Sequence, residues 1–285
     1  MSNSNSKHRA SDSILLVYAI AVYIVLFAPI VTMMVYSFNG GRLLLVWQEF
    51  SLDPYRRLFS NAQMLNSVKT SLQVAAVAAV LATVLGSLAG LHLARHGGWS
   101  SRIFVGLISI VLVTPEIVNA VALLPWFVFL GVDASIGVFD SGLVRLAFGH
   151  AIFPTAVVAF IVRARMTGVS GSLENAAADL YATPWRSFLQ ITLPMMMPAI
   201  VGGALLSATM SMDNVIISSF VSVQGSSPWP VYVFGSLRSG MRPEIAALST
   251  IMCCGVIASL VVAALFLKRG SHSVGPVVTG RPDGA

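Results

Sequence analysis

The chain has 285 residues, of which 56% are hydrophobic and only 10% are charged. A soluble domain carries about 25% charged residues because its surface must be solvated, so this composition excludes a water-facing globule. The surplus apolar surface must face lipid. The net charge of +6 is spread over termini and loops, which argues against a nucleic-acid partner. We therefore predict an all-α integral membrane protein.

Six long stretches with at most one charged residue each follow one another along the chain. Crossing a bilayer core of about 30 Å takes about 20 helical residues. We predict transmembrane helices over 14–37, 71–94, 103–131, 144–163, 195–220 and 245–267. The first has no convincing small-residue cleavage pattern at 34–41, so we expect it to be retained. In the second, the GxxxG spacing of Gly86 and Gly90 predicts close helix packing.

The six-helix domain is predicted to occupy residues 13–267, between two polar tails, 1–12 and 268–285, that we expect to be disordered. Six spans place both termini on the same side of the membrane. Ten of the 17 Lys and Arg residues then lie in inner segments if the termini are cytoplasmic. The short inner loop 95–102 is basic, whereas the outer loop 131–142 holds two aspartates. This bias favours cytoplasmic termini.

The longest polar segment on the predicted cytoplasmic side is the loop 164–194. Ser172 as an N-cap and Glu174 in the first turn favour a helix that must end before Pro184. Thr183 then precedes a second helix with Pro184 at its first position. One face of the first helix, at helical spacing, carries Leu173, Ala176, Ala177 and Leu180. From spacing alone, this apolar face packs either on its own bundle or on another protein.

The stretch ENAAADLYATPWRSFLQITLP, residues 174–194, resembles the EAA loop of bacterial binding-protein-dependent ABC importer permeases. The matching positions are Ala176, Ala177, Ile191, Leu193 and Pro194. Asn175 stands in place of the family's glutamate and Tyr181 in place of its glycine, while Glu174 offers a carboxylate one residue early. The resemblance implies a coupling helix that docks on an ATP-binding subunit. Its docking residues would be Glu174, Asn175, Ala176, Ala177, Leu180 and Tyr181.

Residues 226–251 are similar to the segment that enters the last span of polyamine (spermidine/putrescine) permeases, with a shared pattern at 243–250. The resemblance covers about 66–267. It implies the type I ABC importer permease fold in a bacterial inner membrane. The implied partners are a second permease subunit in a homo- or heterodimer, two ATP-binding subunits and a periplasmic substrate-binding protein.

We expect no enzymatic activity, metal or cofactor in this chain. Its sequence has no P-loop glycine–lysine motif, no metal-ligand cluster and no nucleophile–base pair. ATP hydrolysis would then belong to a separate subunit. Three histidines, His92, His96 and His150, lie at or near predicted helix ends without a convincing partner spacing, and we assign them no function.

Two acidic residues, Glu116 and Asp213, lie at membrane depth. An ionised carboxylate in hydrocarbon costs about 2.5 kcal/mol or more, so each should face a cavity or a partner. Both could meet the ammonium groups of a cationic solute on a substrate path. Alternatively, Glu116 caps the helix that follows Pro115, and Asp213 is a solvated interfacial residue.

The sequence therefore favours an importer permease for a polyamine or a related amine. A permease for another solute, such as an opine, a phosphonate or a sugar, is the alternative within the same family. A stand-alone secondary transporter or channel is a third hypothesis, in which the loop helix would pack on its own bundle. A membrane enzyme has no catalytic constellation to support it.

Overall fold

The computed structural model describes residues 4–169 and 172–270, with side chains for residues 15–169 and 173–258. Within these ranges the chain is almost entirely helical and forms no β-strand, only an isolated bridge between Asn39 and Phe50. The helices are α1 (Ser4–Tyr36), α2 (Asp53–Ser60), α3 (Ala62–Arg95), α4 (Trp99–Val113), α5 (Glu116–Val128), α6 (Gly142–Thr167), α7 (Ser172–Asp179), α8 (Pro184–Ser187), α9 (Leu193–Met212), α10 (Ile216–Val221), α11 (Trp229–Ser239) and α12 (Pro243–Gly270). A π-helical turn, Phe129–Asp133, extends α5, and another, Phe188–Thr192, leads into α9.

In the part of the chain that the structure describes, five helical stretches are long and apolar enough to cross a membrane. They are Leu15–Tyr36, Ala62–Arg95, Glu116–Asp133, Gly142–Thr167 and Pro184–Met212. Two shorter apolar helices are Trp99–Val113 and Pro243–Ala258. The second of these is the start of α12, which continues to Gly270 and covers the sixth predicted span. The predicted all-helical membrane architecture is confirmed.

Two of the predicted spans are interrupted. Helices α4 and α5 are separated at Thr114, which is extended with ψ 128°, because Pro115 disfavours a helical conformation at the preceding residue and has no N–H to donate. Helices α9 and α10 are separated by residues 213–215. The prediction of one unbroken helix over 103–131 and another over 195–220 is therefore wrong at these two points.

One compact unit spans residues 62–238 and contains helices α3 to α10 and α11 up to its last residue but one. Helix α3 packs along α6 and α9. A Cβ atom at Gly90 would lie 2.5 Å from the carbonyl oxygen of Ala159, and one at Gly86 would lie 2.7 Å from Cβ of Val158. Because only glycine allows this approach of α3 to α6, the close packing predicted at the GxxxG spacing is confirmed.

The other compact unit contains residues 4–61 and 239–270, with helices α1, α2 and α12. Its loop between α1 and α2 is organised by Asn39, whose side chain is fully buried. The Asn39 Oδ1 atom accepts hydrogen bonds from the backbone of Gly41 and Gln48, at 3.1 and 3.0 Å, and Nδ2 donates to the carbonyl of Val46 at 2.7 Å. These bonds satisfy backbone groups that a short loop would otherwise leave unpaired.

The chain ends differ from the predicted disordered tails where the structure describes them. Helix α1 begins at Ser4, so residues 4–12 are helical. No Pro or Gly interrupts this stretch, and extending an existing helix avoids the cost of nucleation. At the other end, α12 includes the first residues of the predicted tail 268–285. Residues 1–3, 271–285 and 170–171, the last pair within the predicted loop 164–194, lie outside the described part.

Candidate functional site

A cavity of about 430 Å³ lies in the unit of residues 62–238, where the break between α4 and α5 faces the break between α9 and α10. Its polar lining residues are Thr114, Glu116, His150, Asp213 and Asn214, and its apolar ones include Phe153, Pro154 and Met210. The two carboxylates that the sequence singled out separately therefore line the same cavity. We call it the carboxylate cavity.

Glu116 is held in place by a side chain that the sequence analysis missed. Asn214 Nδ2 donates a hydrogen bond to Oε1 of Glu116, and Asn214 Oδ1 accepts one from the backbone N–H of Ile217 at 3.0 Å. Asn214 thus caps α10 and fixes Glu116 together. The Asp-Asn pair at 213–214 is a helix-breaking and capping signal, which a closer inspection of the fifth span would have detected.

Asp213 and Glu116 differ in their surroundings. Glu116 is half-buried and lies in the first turn of α5, where the helix dipole favours a negative charge. Asp213 is exposed, follows the last residue of α9, and forms no ion pair with any described residue. Glu116 can therefore cap α5 and face the cavity at the same time. Asp213 remains free to pair with a cation.

His150 also lines the carboxylate cavity, although its sequence position suggested no function. It lies well inside α6 rather than near a helix end. Its Nδ1 is 2.8 Å from Oγ of Ser211, and its Nε2 is 2.9 Å from Oγ of Ser218. Because these partners are distant in sequence, spacing within one helix gave no signal for them.

A second candidate site surrounds α7, in the predicted coupling loop. The Glu174 carboxylate forms an ion pair with Arg95 at the end of α3, and its Oε1 accepts a 2.6 Å hydrogen bond from Thr192 Oγ1. Glu174 therefore points toward its own subunit. Through Arg95 and Thr192 it connects α7 to α3 and to the turn that leads into α9.

The backbone conformation at the end of α7 explains why the family pattern has a glycine where this chain has Tyr181. Tyr181 adopts φ +58°, and the backbone N–H groups of Tyr181 and Ala182 donate to the carbonyls of Ala178 and Ala177, both at 2.9 Å. This is a Schellman C-terminal cap, in which the left-handed residue is usually glycine. Pro184 then starts α8 with Thr183 as its N-cap, as predicted. The corner is thus formed with a tyrosine at the strained position.

The apolar face of α7 is mostly uncovered. Of the four residues predicted to share it, Ala177 is buried at 8% exposure, whereas Leu173, Ala176 and Leu180 are exposed, Leu180 to 82%. Tyr181 is 96% exposed beside them, and the exposed ring of Trp185 follows on α8. Packing of this face on its own bundle is therefore limited to Ala177. Asn175 is exposed as well.

Comparison with known proteins gives consistent matches. The family model described as "Binding-protein-dependent transport system inner membrane component" matches residues 82–270. The chain is 41% identical to the putrescine transport system permease protein PotI of Escherichia coli (strain K12), over 80% of this chain and 81% of the relative. It is 34% identical to the spermidine/putrescine transport system permease protein PotC of Haemophilus influenzae, over 90% of this chain and 96% of the relative.

Solved structures share the architecture at low sequence identity. A chain of a bacterial ABC transporter involved in the import of the acidic polysaccharide alginate aligns with a TM-score of 0.64 and 16% identity, covering 94% of this chain and 98% of that chain. A chain of an amino acid ABC transporter aligns with a TM-score of 0.54 and 16% identity, covering 77% and 100%. At these identities the similarity shows the fold alone, and the predicted type I importer permease fold is confirmed.

Proposed function

The chain belongs to the family of inner-membrane components of binding-protein-dependent transport systems, and on this premise we propose that it forms the translocation path of an ATP-driven importer for a polyamine or a related amine. The relatives named for putrescine and for spermidine/putrescine support this solute class. The chain is a multi-pass membrane protein. It carries the solute and leaves ATP hydrolysis to another subunit.

The observation that carries the proposal is the pair of carboxylates in one cavity. Glu116 and Asp213 offer negative charge next to the apolar side chains of Phe153 and Met210. An alkyl diamine has ammonium groups joined by methylenes, so its charges pair with the carboxylates while its chain contacts the apolar wall. A phosphonate would be repelled by the carboxylates, and a neutral sugar would leave both of them unpaired.

The uncovered face of α7 supports docking on an ATP-binding subunit. Exposed apolar side chains in a row on a short helix of a polar loop need a partner protein to bury them. A stand-alone transporter has no such partner protein. The docking residues in this proposal are Leu180, Tyr181, Ala176 and Asn175, which are exposed. Glu174 and Ala177, also predicted to dock, point toward this chain and position the helix instead.

The assembly that follows contains a second permease subunit, two ATP-binding subunits and a periplasmic binding protein. Both termini and the α7 loop face the cytoplasm in this arrangement, as the distribution of Lys and Arg favours. Closure of the ATP-binding subunits would carry α7 with it. Because Glu174 connects α7 to Arg95 and Thr192, the motion would reach α3 and α9, and hence the cavity at the end of α9.

Uptake measurements test the solute class and the energy source together. Cells lacking other polyamine importers and expressing the chain with its neighbouring transport genes should accumulate radiolabelled putrescine. Excess spermidine should compete, whereas a phosphonate, an opine or a sugar should not. Uptake should stop when the Walker A lysine of the ATP-binding subunit is replaced. Uptake that persists would instead support a stand-alone transporter, and competition by a phosphonate or a sugar alone would refute the amine proposal.

A further inference from the structure

His150 is a wall residue of the carboxylate cavity whose ring is already fully engaged. It is 2% exposed, and its two partners, Ser211 and Ser218, are buried as well. A neutral imidazole has one donor and one acceptor nitrogen, so one serine donates to the ring and the other accepts from it. With both nitrogens bonded at 2.8 and 2.9 Å, the ring has no free polar atom to offer to a solute.

The two serines lie on either side of the break that forms the cavity wall. Ser211 is in the last turn of α9 and Ser218 is in α10. Between them lies the turn of residues 213–215, which places Asp213 at the cavity and Asn214 against Glu116. A single side chain of α6 therefore bridges the helix that enters the turn and the helix that leaves it.

The backbone of α6 is built for this contact. A Cβ atom at Gly149 would lie 2.8 Å from Cγ2 of Ile217, so the absence of a side chain at Gly149 allows α10 to approach α6. This approach brings the neighbouring His150 ring within reach of Ser218. Close helix packing and the two hydrogen bonds are thus parts of the same arrangement.

We propose that His150 is a positioning residue for the cation site. By joining α9 to α10 it holds the turn of residues 213–215, so that Asp213 lines the cavity and Asn214 keeps its bond to Glu116. The identity of the ligand, an alkyl ammonium ion, rests on the proposed function, but the position of the turn concerns this chain alone. Loss of the His150 side chain would leave the two buried hydroxyls without partners, and the turn of residues 213–215 would then be released.

A cross-linking experiment measures the position of the turn without any solute. Cysteines replace Thr114 and Val215, which line the carboxylate cavity at the two breaks and leave Glu116, Asp213 and Asn214 in place. The chain also has Cys253 and Cys254 changed to alanine, and a short bifunctional thiol reagent joins the two introduced cysteines in native membranes of the assembled complex. The yield should fall severalfold when His150→Ala is added. Equal yields with and without His150 would overturn the proposal, whichever solute the complex carries.

Conservative variants separate positioning from general loss of packing. The amide of His150→Asn lies near the place of Nδ1 and should keep the bond to Ser211, and that of His150→Gln lies near Nε2 and should keep the bond to Ser218. Both should restore part of the cross-linking yield. Ser207→Ala is the matched control, because Ser207 is equally buried one turn earlier on α9 but donates to Gly203 of its own helix at 2.8 Å. It should leave the yield unchanged.

Transport gives the second readout. The binding protein captures the solute first, so a displaced turn should lower the amount of putrescine moved per ATP hydrolysed, severalfold, without changing the half-saturating concentration. Ser211→Ala and Ser218→Ala should each lower this ratio, and Ser207→Ala should not. If the amount of putrescine moved per ATP falls equally in all three serine variants, the role of His150 is merely structural. If cross-linking responds to His150 but the unaltered chain moves no putrescine, the positioning assignment stands and the amine proposal fails.

Discussion

Asn214 gives Glu116 a partner that a carboxylate inside a membrane needs. A charged group in hydrocarbon is costly, and the hydrogen bond from Asn214 Nδ2 compensates part of that cost without neutralising the charge. The carboxylate therefore stays available to a cation. Asp213, exposed at the opposite break, has no such support among the described residues and depends on water or on the solute.

Removing either charge should therefore weaken transport while leaving the fold intact. Glu116→Gln keeps an oxygen that can accept from Asn214, and Asp213→Asn keeps the shape of the turn. A hydrogen bond to a charged group contributes about 1.5–3 kcal/mol, so each change should lower the rate of putrescine uptake by about tenfold or more. Initial rates at saturating putrescine in whole cells, corrected for the amount of chain in the membrane, measure this.

The control for these variants is Glu49→Gln, a carboxylate of the loop between α1 and α2 that does not line the carboxylate cavity. It should transport at the unaltered rate. Unchanged uptake in both Glu116→Gln and Asp213→Asn would remove the carboxylate cavity from the solute path.

At the scale of elements, α7 has one side that contacts its own subunit and one that remains uncovered. The first side carries Glu174 and Ala177, and the second carries Leu180. The Schellman cap and Pro184 fix the angle at which α7 leaves toward α9. A helix held in this way can transmit a displacement, since its contacts to α3 and to the turn that leads into α9 are polar and directional.

Leu180→Asp should break the contact with the ATP-binding subunit. Leu180 is 82% exposed, so the change removes no packing within this chain. Burial of a leucine at an interface is worth about 1.5–3 kcal/mol, so docking affinity should fall roughly tenfold to a hundredfold. Co-purification of the ATP-binding subunit measures this. Leu45→Asp, at a similarly exposed leucine in the loop between α1 and α2, should retain the partner. Normal co-purification with Leu180→Asp would contradict docking through α7.

For the whole molecule, the spacing of charges was enough to predict the membrane helices, because lipid imposes length and polarity on every span. The family followed from the motif at 174–194 and is confirmed by the family match. The break at 213–215 was missed, and a new helix after Pro115 was considered only as an alternative for Glu116, since hydropathy averages over a few polar residues. The bridge through His150 depends on helices brought together by the fold, which no local pattern encodes.

Orientation is the remaining property of the whole molecule that the charge bias predicts. Arg95 at the end of α3 and Arg102 in the first turn of α4 flank the short connection between these helices, whereas the segment between α5 and α6 holds two aspartates. Basic residues are retained on the cytoplasmic side. Alkaline phosphatase, which is active only in the periplasm, should therefore be inactive when fused after Lys268 or Gly97 and active when fused after Ser135. A fluorescent protein that matures only in the cytoplasm should give the opposite pattern at each site. Phosphatase activity after Lys268 would reverse the orientation and place α7 on the side where no ATP-binding subunit can reach it.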